Sequence, residues 1–556
     1  SVPLAGPYTG NLANEGEPIV LKTAAGGTDL VAFEYGNALR SVSHRGWPLA
    51  AAGAGHSLVP LARAMPGQAT GALDYPGNWR ASTYLGGSPG AADPEVPLGS
   101  VRINEFAAHT DYSNPQQPEY DSNDWIELYN GSGTATTLEH WYLSDRATDL
   151  RLWKIPTQTL DPGQWLSFDE VSGFHYPITA GFGLNKAGEQ IYLSHLPESG
   201  QGRIVDAVRF EGQENDRTWG LYPDGGAFGG ALNPTRHSAN SPPGRTVLIS
   251  EVMYAPPRTD GATDNPADEY VELLNPTDQP LDLFSANGVW RLEGGVDWSF
   301  APGTQLAAGE TLLVVGFDPA NSTLLDSFRR TYGLENATIK IQGPYSGKLS
   351  NRSDRLALEW PQSPDLPGDP YSWVIVDEVI YGNQAPWPAN ALGTGLSLHR
   401  LSAGGFGNDP VNWQAAGPSP GMATIDSDRD QDGMPDTWEE QHGFDPDDPT
   451  DATQDADQDG LSNLEEYWAG TDPTDPESLL RFSAVAWTDA GIQLQFASVP
   501  GRTYQVEYGT GLPVSAWTLL AEVTPQTAPA IEVVIDPAPL ASSFRCYRLR
   551  LVNPAP

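Results

Sequence analysis

Two acidic stretches in the last quarter of the chain have the spacing of a cation cage. Asp428, Asp430, Asp432, Asp436 and Glu439 stand at positions 1, 3, 5, 9 and 12 of one twelve-residue loop. Gly433 takes position 6, where the chain must turn sharply, and Met434 at position 7 offers its carbonyl. The pattern returns 27 residues later as Asp455, Asp457, Asp459, Asn463 and Glu466, with Gly460 at position 6 and the Leu461 carbonyl at position 7. Every ligand offered is an oxygen. Calcium takes six to eight oxygens in loops with this spacing, so Ca2+ is the expected cofactor. Zinc is disfavoured, because His442 is the one nitrogen ligand nearby and no cysteine accompanies it. A solvated acidic linker would not repeat glycine at both sixth positions. Asp426, Asp447, Asp451 and Asp475 stand where they could complete or share sites.

Short helices are expected after the loops, over 437–441 and 464–469. Two turns are too few for a sensor that opens an apolar groove, so the metal's role is read as structural. Without it the carboxylates repel and extend the segment, and with it the segment becomes a compact, stiff joint.

Other chemistry is sparse. The nine histidines are scattered, and there is no Gly-x-Ser-x-Gly elbow, no His-Glu-x-x-His and no phosphate-cradling loop. The glycine-rich run at 225–230 lacks the Lys-Ser/Thr that a phosphate site needs. Glu105 with Glu127 and Glu251 with Glu272 recur as pairs, and paired carboxylates can do acid–base work. The expectation here is hydrogen bonding at a sandwich edge. Cys546 is expected to be a buried, inert thiol. No catalytic residue is assigned.

The 556 residues carry 30 basic and 71 acidic side chains, a formal net charge of −41. This balance excludes non-specific nucleic-acid binding and docking to an anionic membrane, both of which need clustered Lys or Arg. One cysteine rules out a disulfide scaffold, and no apolar run is long enough to cross a membrane as a helix. Residues 424–478 hold 19 acidic residues and one basic one, so nearly half of the net charge sits in the cation loops.

Short alternating apolar runs, such as Ile126-Glu127-Leu128 and Val247-Leu248-Ile249, are separated by Gly, Pro, Asn and Asp. They read as strands of sandwiches, and no convincing helical period appears before residue 430. The chain repeats itself. Gly6-Pro7-Tyr8 matches Gly343-Pro344-Tyr345, Trp47-Pro48 matches Trp387-Pro388, and Trp79 matches Trp413. The last pairs point to core packing. Gly87-Ser88-Pro89-Gly90 matches Pro418-Ser419-Pro420-Gly421, with Asn240-Ser241-Pro242-Pro243-Gly244 as a departing copy. Ile103-Asn104-Glu105-Phe106 matches Ile249-Ser250-Glu251-Val252. The division that follows is 1–93, 97–245, 246–423, 424–478 and 480–556, in which the first copy lacks its opening strands.

The Ile-Asn-Glu-Phe opening, the strand Asp124-Trp125-Ile126-Glu127-Leu128-Tyr129-Asn130 and Trp141-Tyr142-Leu143-Ser144-Asp145 resemble the lamin-tail domain of secreted bacterial proteins. That resemblance covers residues 1–421 and implies immunoglobulin-like β-sandwiches. The acidic segment, with Gly443-Phe444-Asp445-Pro446 and Gly470-Thr471-Asp472-Pro473 trailing its loops, resembles EF-hand-like, thrombospondin type 3 and dockerin-like calcium repeats. Residues 480–556 resemble a small fibronectin III-like module.

The fold expected is therefore all-β, tandem immunoglobulin-like β-sandwiches with a short helical calcium-binding segment. The function expected is a secreted, calcium-stabilised structural or adhesive protein of a bacterial cell surface or extracellular matrix. The alternative is a non-catalytic arm of a larger secreted enzyme whose catalytic domain precedes Ser1. The expected partners are proteins or further copies at the cell surface, with strand donation completing 1–93, and glycans as another class.

Overall fold

The computed structural model describes residues 11–39, 44–61, 72–94, 101–243, 247–256, 265–335, 337–364, 371–422, 425, 430, 432–446, 448–498, 503–510, 517–523, 530–537 and 545–552. Asp426, Asp428 and Asp447, and the Gly6-Pro7-Tyr8 motif, lie outside the described residues. The chain is all-β, in tandem domains.

The second body is a sandwich. One sheet runs in the order Trp165–Asp169, Trp125–Asn130, Val101–Ala107, Thr218–Leu221, Gly229–Leu232. The other runs Arg203–Arg209, Gln190–His195, Trp141–Ser144, Trp153–Lys154. Alternate residues of both sheets, among them Ile103, Phe106, Ile126, Leu128, Leu143, Ile191 and Leu193, close the core. Ile103 and Phe106 both face inward although three apart, because the pairing shifts register between Ile103 and Glu105. The third body repeats the device, with a shift between Ile249 and Glu251 that leaves both Ile249 and Val252 in the core.

The third body has a six-stranded sheet in the order Lys340–Gln342, Thr311–Val315, Tyr270–Leu274, Leu248–Met253, Ser397–Arg400, Trp413–Ala416. Facing it are Ser346–Gly347, Val296–Ser299, Arg291–Gly294, Ser353–Gln362 and Ser372–Gly382. Thr311–Val315 and Tyr270–Leu274 are buried at every position because both faces of their sheet are covered. The outer cover is a ten-residue helix, Ser322–Thr331, whose Phe328 packs with Met253, Tyr270, Leu313 and Val315. This helix stands before residue 430, where no long stretch shows a convincing helical period. A single stripe of Leu325, Phe328 and Tyr332 is too short to stand out as a period, and Asn321 starts the helix by accepting from Leu324 N.

The first body contains a hairpin, Gly16–Lys22 with Asp29–Gly36, and the short pair Leu58–Pro60 with Trp79–Ala81. It reproduces the third body's bonds. Trp79 Nε1 donates to Leu73 O at 2.9 Å, as Trp413 Nε1 does to Gly407 O at 2.9 Å. Asn78 Nδ2 donates to Ala72 O, as Asn412 Nδ2 does to Phe406 O. Its Trp47, Leu49 and Ala54 pack on Tyr192, Ile204 and Ala207 of the second body. Tyr75 meets Trp387 of the third body edge-on. Strand Ser353–Gln362 pairs on both sides, whereas Gly16–Lys22 has one partner among the described residues. Leu21 is accordingly 58% exposed, where Leu358, at the same place in the third body, is fully buried.

The C-terminal body packs two three-stranded sheets around Leu494, Phe496, Tyr504, Val506 and Val534. Cys546 lies in strand Cys546–Val552 and is half-buried, not fully buried as expected.

Candidate calcium centre

The acidic segment is held as a small helical body. Helix Asp436–His442 ends at Gly443, and helix Asn463–Ala469 ends at Gly470, both glycines left-handed. Ser462 and Glu465 form a reciprocal cap at the start of the second helix. Trp438 packs against His442, Phe444 and Tyr467, which ties the two helices together. Trp468 meets Tyr222 edge-on at 6.1 Å, in a cluster with Leu232 of the second body and Phe406 of the third. The segment is therefore seated against both sandwiches.

The sixth-position glycines turn as the pattern requires, with φ of +96° at Gly433 and +105° at Gly460. At Gly433 a side chain would also meet Leu464 Cδ1 at 3.2 Å and the Tyr222 hydroxyl at 3.3 Å. Carboxylate oxygens of Asp430, Asp432 and Glu439 lie within 4.8 Å of one another, as do those of Asp455, Asp457 and Asp459. The second loop is shaped by its own aspartates. Asp455 Oδ1 accepts from Gln458 N and Asp459 N, and Asp455 Oδ2 from Gly460 N. Asp457 Oδ1 accepts from Asp459 N at 3.1 Å, and Asp459 Oδ1 from Leu461 N at 2.8 Å. In the first loop Asp432 Oδ1 accepts from Met434 N at 2.7 Å, the same turn at the same position.

The other oxygens decide what the loops can hold. Asp457 Oδ2, Asp459 Oδ2 and both oxygens of Glu466 are buried with no hydrogen-bond donor. The Thr471 hydroxyl stands near Glu466 without completing a bond. Burial, and then the neighbouring Asp457, Asp459 and Asp455 charges, push the Glu466 carboxyl up to about 7. Acceptors withdrawn from water and facing each other without donors fit a hard cation. Asp436 and Glu439 are buried at the start of the first helix, Met434 is fully buried and Leu461 half-buried. Asn463 departs from its expected place in the ring. Its Nδ2 donates to Asp451 O at 2.8 Å and its Oδ1 accepts from Ala456 N, so its amide is committed to the scaffold.

The paired glutamates are of a different kind. Glu105 pairs directly across from Glu127, and Glu251 from Glu272, on central strands and not at an edge. Glu251 accepts from Ser419 N, Ser397 Oγ and the Tyr270 hydroxyl, and Glu272 from Ser250 Oγ and Gly421 N. Glu105 accepts from Thr218 Oγ1 and Thr235 N, and Glu127 from His237 N at 2.6 Å. The pairs thus clamp the tail that follows the last strand. This places Pro234-Thr235-Arg236-His237 opposite Pro418-Ser419-Pro420-Gly421, with positive φ at both His237 and Gly421. Asn240-Ser241-Pro242-Pro243-Gly244 is not the matching segment. A positive φ at histidine hid the match, since only a glycine marks such a turn in sequence. In the first body a carboxylate of the tail itself, Asp93, accepts from Arg80, Thr83 and Ser88.

His399 Nε2 lies 2.9 Å from Ser397 Oγ, which donates to Glu251. All three are at most 4% exposed, so this serine–histidine–glutamate contact is sealed from any substrate. His56 Nε2 accepts from Ile204 N and its ring is buried, which lowers its pKa and suits a neutral structural role. Among the described residues no helix is long and apolar enough to cross a membrane, which says nothing of a β-barrel.

Residues 240–363 match the Lamin Tail Domain, a non-catalytic immunoglobulin-like family. The match contains the Glu251–Glu272 pair and ends with strand Ser353–Gln362. No curated protein matches the chain. Among solved structures, a DUF4876 family protein from Bacteroides thetaiotaomicron is similar at 11% identity over 53% of this chain and 95% of its own, with a TM-score of 0.25. Residues 240–363 are therefore similar to an immunoglobulin-like lamin-tail domain, within an all-β tandem array.

Proposed function

We propose that this chain is a non-catalytic structural or adhesive protein of a bacterial cell surface or extracellular matrix, and that two calcium ions lock its acidic segment against the sandwiches. The observation that carries the reading is the set of buried, donor-less carboxylate oxygens in a segment wedged against Tyr222 and Phe406. Extracellular calcium modules bind at about 10⁻⁴–10⁻³ M, which suits a millimolar-calcium medium. A binding role is supported by strand Ala530–Asp536, at the edge of its sheet, where Ile531, Val533 and Ile535 form an exposed apolar row. Such a row on an edge strand is a surface for protein contact. The absence of chemistry is supported by the burial of the glutamate pairs, each at most 1% exposed, under the tails they hold.

The test is small-angle scattering and limited proteolysis of the chain in calcium and in chelator. Chelation should lengthen the molecule and open 424–478 to protease. Superimposable scattering profiles and identical cleavage would overturn the reading.

A further inference from the structure

Between the two loops the chain makes a single 3-10 turn, Asp451–Thr453, outside both twelve-residue patterns. Asp451 is 7% exposed, which is unusual for an aspartate in so acidic a segment. Its Oδ2 accepts from Asp445 N at 3.2 Å, which closes the turn after the first helix. Its Oδ1 is buried and receives no hydrogen bond. The group that Asp451 meets is another carboxylate, that of Asp432 at position 5 of the first loop. Two carboxylates brought together out of water repel each other unless a cation or a shared proton stands with them.

Other acidic side chains nearby have different surroundings. Asp448 is spent on Thr450, accepting from its N and its Oγ1. Asp472 is likewise spent on Thr474 and on the backbone N–H of that residue. Neither is buried against a loop carboxylate. Asp451 alone among these presents a buried, donor-less oxygen to a loop ligand. It is also tied to the second loop, because its carbonyl accepts from Asn463 Nδ2 and Gln454 O accepts from Asn463 N in the same turn.

We infer that Asp451 is a ligand of the first calcium ion, meeting Asp432 from the turn between the loops, and that it couples the two sites into one unit. The inference rests on the calcium reading above. A further carboxylate supplies the charge that a calcium site uses to raise affinity. The coupling follows from geometry. Folding of the second loop fixes Asn463, Asn463 holds the Asp451 backbone, and that backbone aims the side chain at the first loop.

The experiment is equilibrium dialysis of the stripped full chain against radioactive calcium, with Asp451→Asn, Asp459→Asn and the double variant. Asparagine keeps the oxygen that accepts from Asp445 N but removes the charge, so a purely structural role for Asp451 would survive it. The wild type should take up two ions and Asp459→Asn one. Asp451→Asn should weaken the first site about tenfold or more, and the double variant should hold no ion at millimolar calcium. Metal-free Asp451→Asn should melt with the metal-free wild type. Asp451→Asn binding within twofold of wild type in both backgrounds would overturn the inference alone. So would destabilisation of the metal-free chain by Asp451→Asn. A wild type that takes up no calcium would overturn the underlying reading, and the inference with it.

Discussion

Glu251 and Glu272 in the third sandwich, and Asp457, Asp459 and Glu466 in the second acidic loop, are all carboxylates withdrawn from water. The sandwich pair is met by Ser250, Tyr270, Ser397, Ser419 and the Gly421 amide. Asp457 and Asp459 turn one oxygen to the backbone and leave the other without a donor, and Glu466 leaves both without one. A third solution sits beside the first, where Arg355 reaches Glu293, Glu359 and Glu378. Against its burial, Arg45 and Arg355 hold the Glu378 carboxyl down at about 2. Burial of a carboxylate is therefore not the mark of a metal site. What distinguishes the loops is that several carboxylates lack a donor together, whereas Glu127 Oε1 in the second sandwich lacks one beside a Glu105 that is fully met.

The contrast can be broken in several ways. Metal removal should have the largest effect. In about 10 mM calcium, about 100 times a dissociation constant of about 10⁻⁴ M, an ion adds about 2.7 kcal/mol, so two add about 5 kcal/mol to the calcium segment and nothing to the sandwich cores. Hydrogen exchange with and without chelator should show protection lost at 436–469 and kept at 270–274. Next comes Arg355→Ala, which removes the shared partner of three carboxylates, though Arg291 still meets Glu359 and Arg45 still meets Glu378, and should cost about 3 kcal/mol in denaturant unfolding whether or not calcium is present. Glu272→Ala should cost about 1–3 kcal/mol by leaving Ser250 and Gly421 N unmatched, whereas Glu272→Gln should cost less than about 1 kcal/mol. The same conservative change in a loop, Asp459→Asn, should lose an ion outright.

How far these differences could be read in advance depends on what each residue type reveals. The sharp turns at Gly433 and Gly460 were legible because the spacing of a cation loop fixes a glycine at its sixth position. The alternating strands and the pairing of Trp47 with Trp387 were legible from repetition. The clamp role of the glutamates was not, because its donors are backbone amides far along the chain, such as Gly421 N for Glu272. The helix Ser322–Thr331 was hidden by its shortness. Asn463 looked like a ligand by position, yet its amide serves Asp451 and Ala456. The seating of Trp468 on Tyr222 depends on tertiary contact alone.

The smallest effect expected is on pH dependence. Burial pushes the Glu127 and Glu272 carboxyls from 4.5 up to about 7. A raised folded-state pKa contributes stability that is full below the unfolded value and lost as pH rises through about 7. The sandwiches should therefore weaken between pH 5 and pH 8, and Glu127→Gln with Glu272→Gln should flatten the profile. Glu378 has the opposite sign, since its stabilisation is present above 4.5 and lost as pH falls toward about 2.

Clustered donor-less carboxylates in the loops hold calcium, and the donor-met Glu251–Glu272 pair does not. Calorimetric titration of calcium into the stripped chain tests it most directly. Two bound ions are predicted for the wild type and for Glu272→Gln, and one for Asp459→Asn. No binding heat at millimolar calcium, or an ion lost on changing Glu272, would contradict the account.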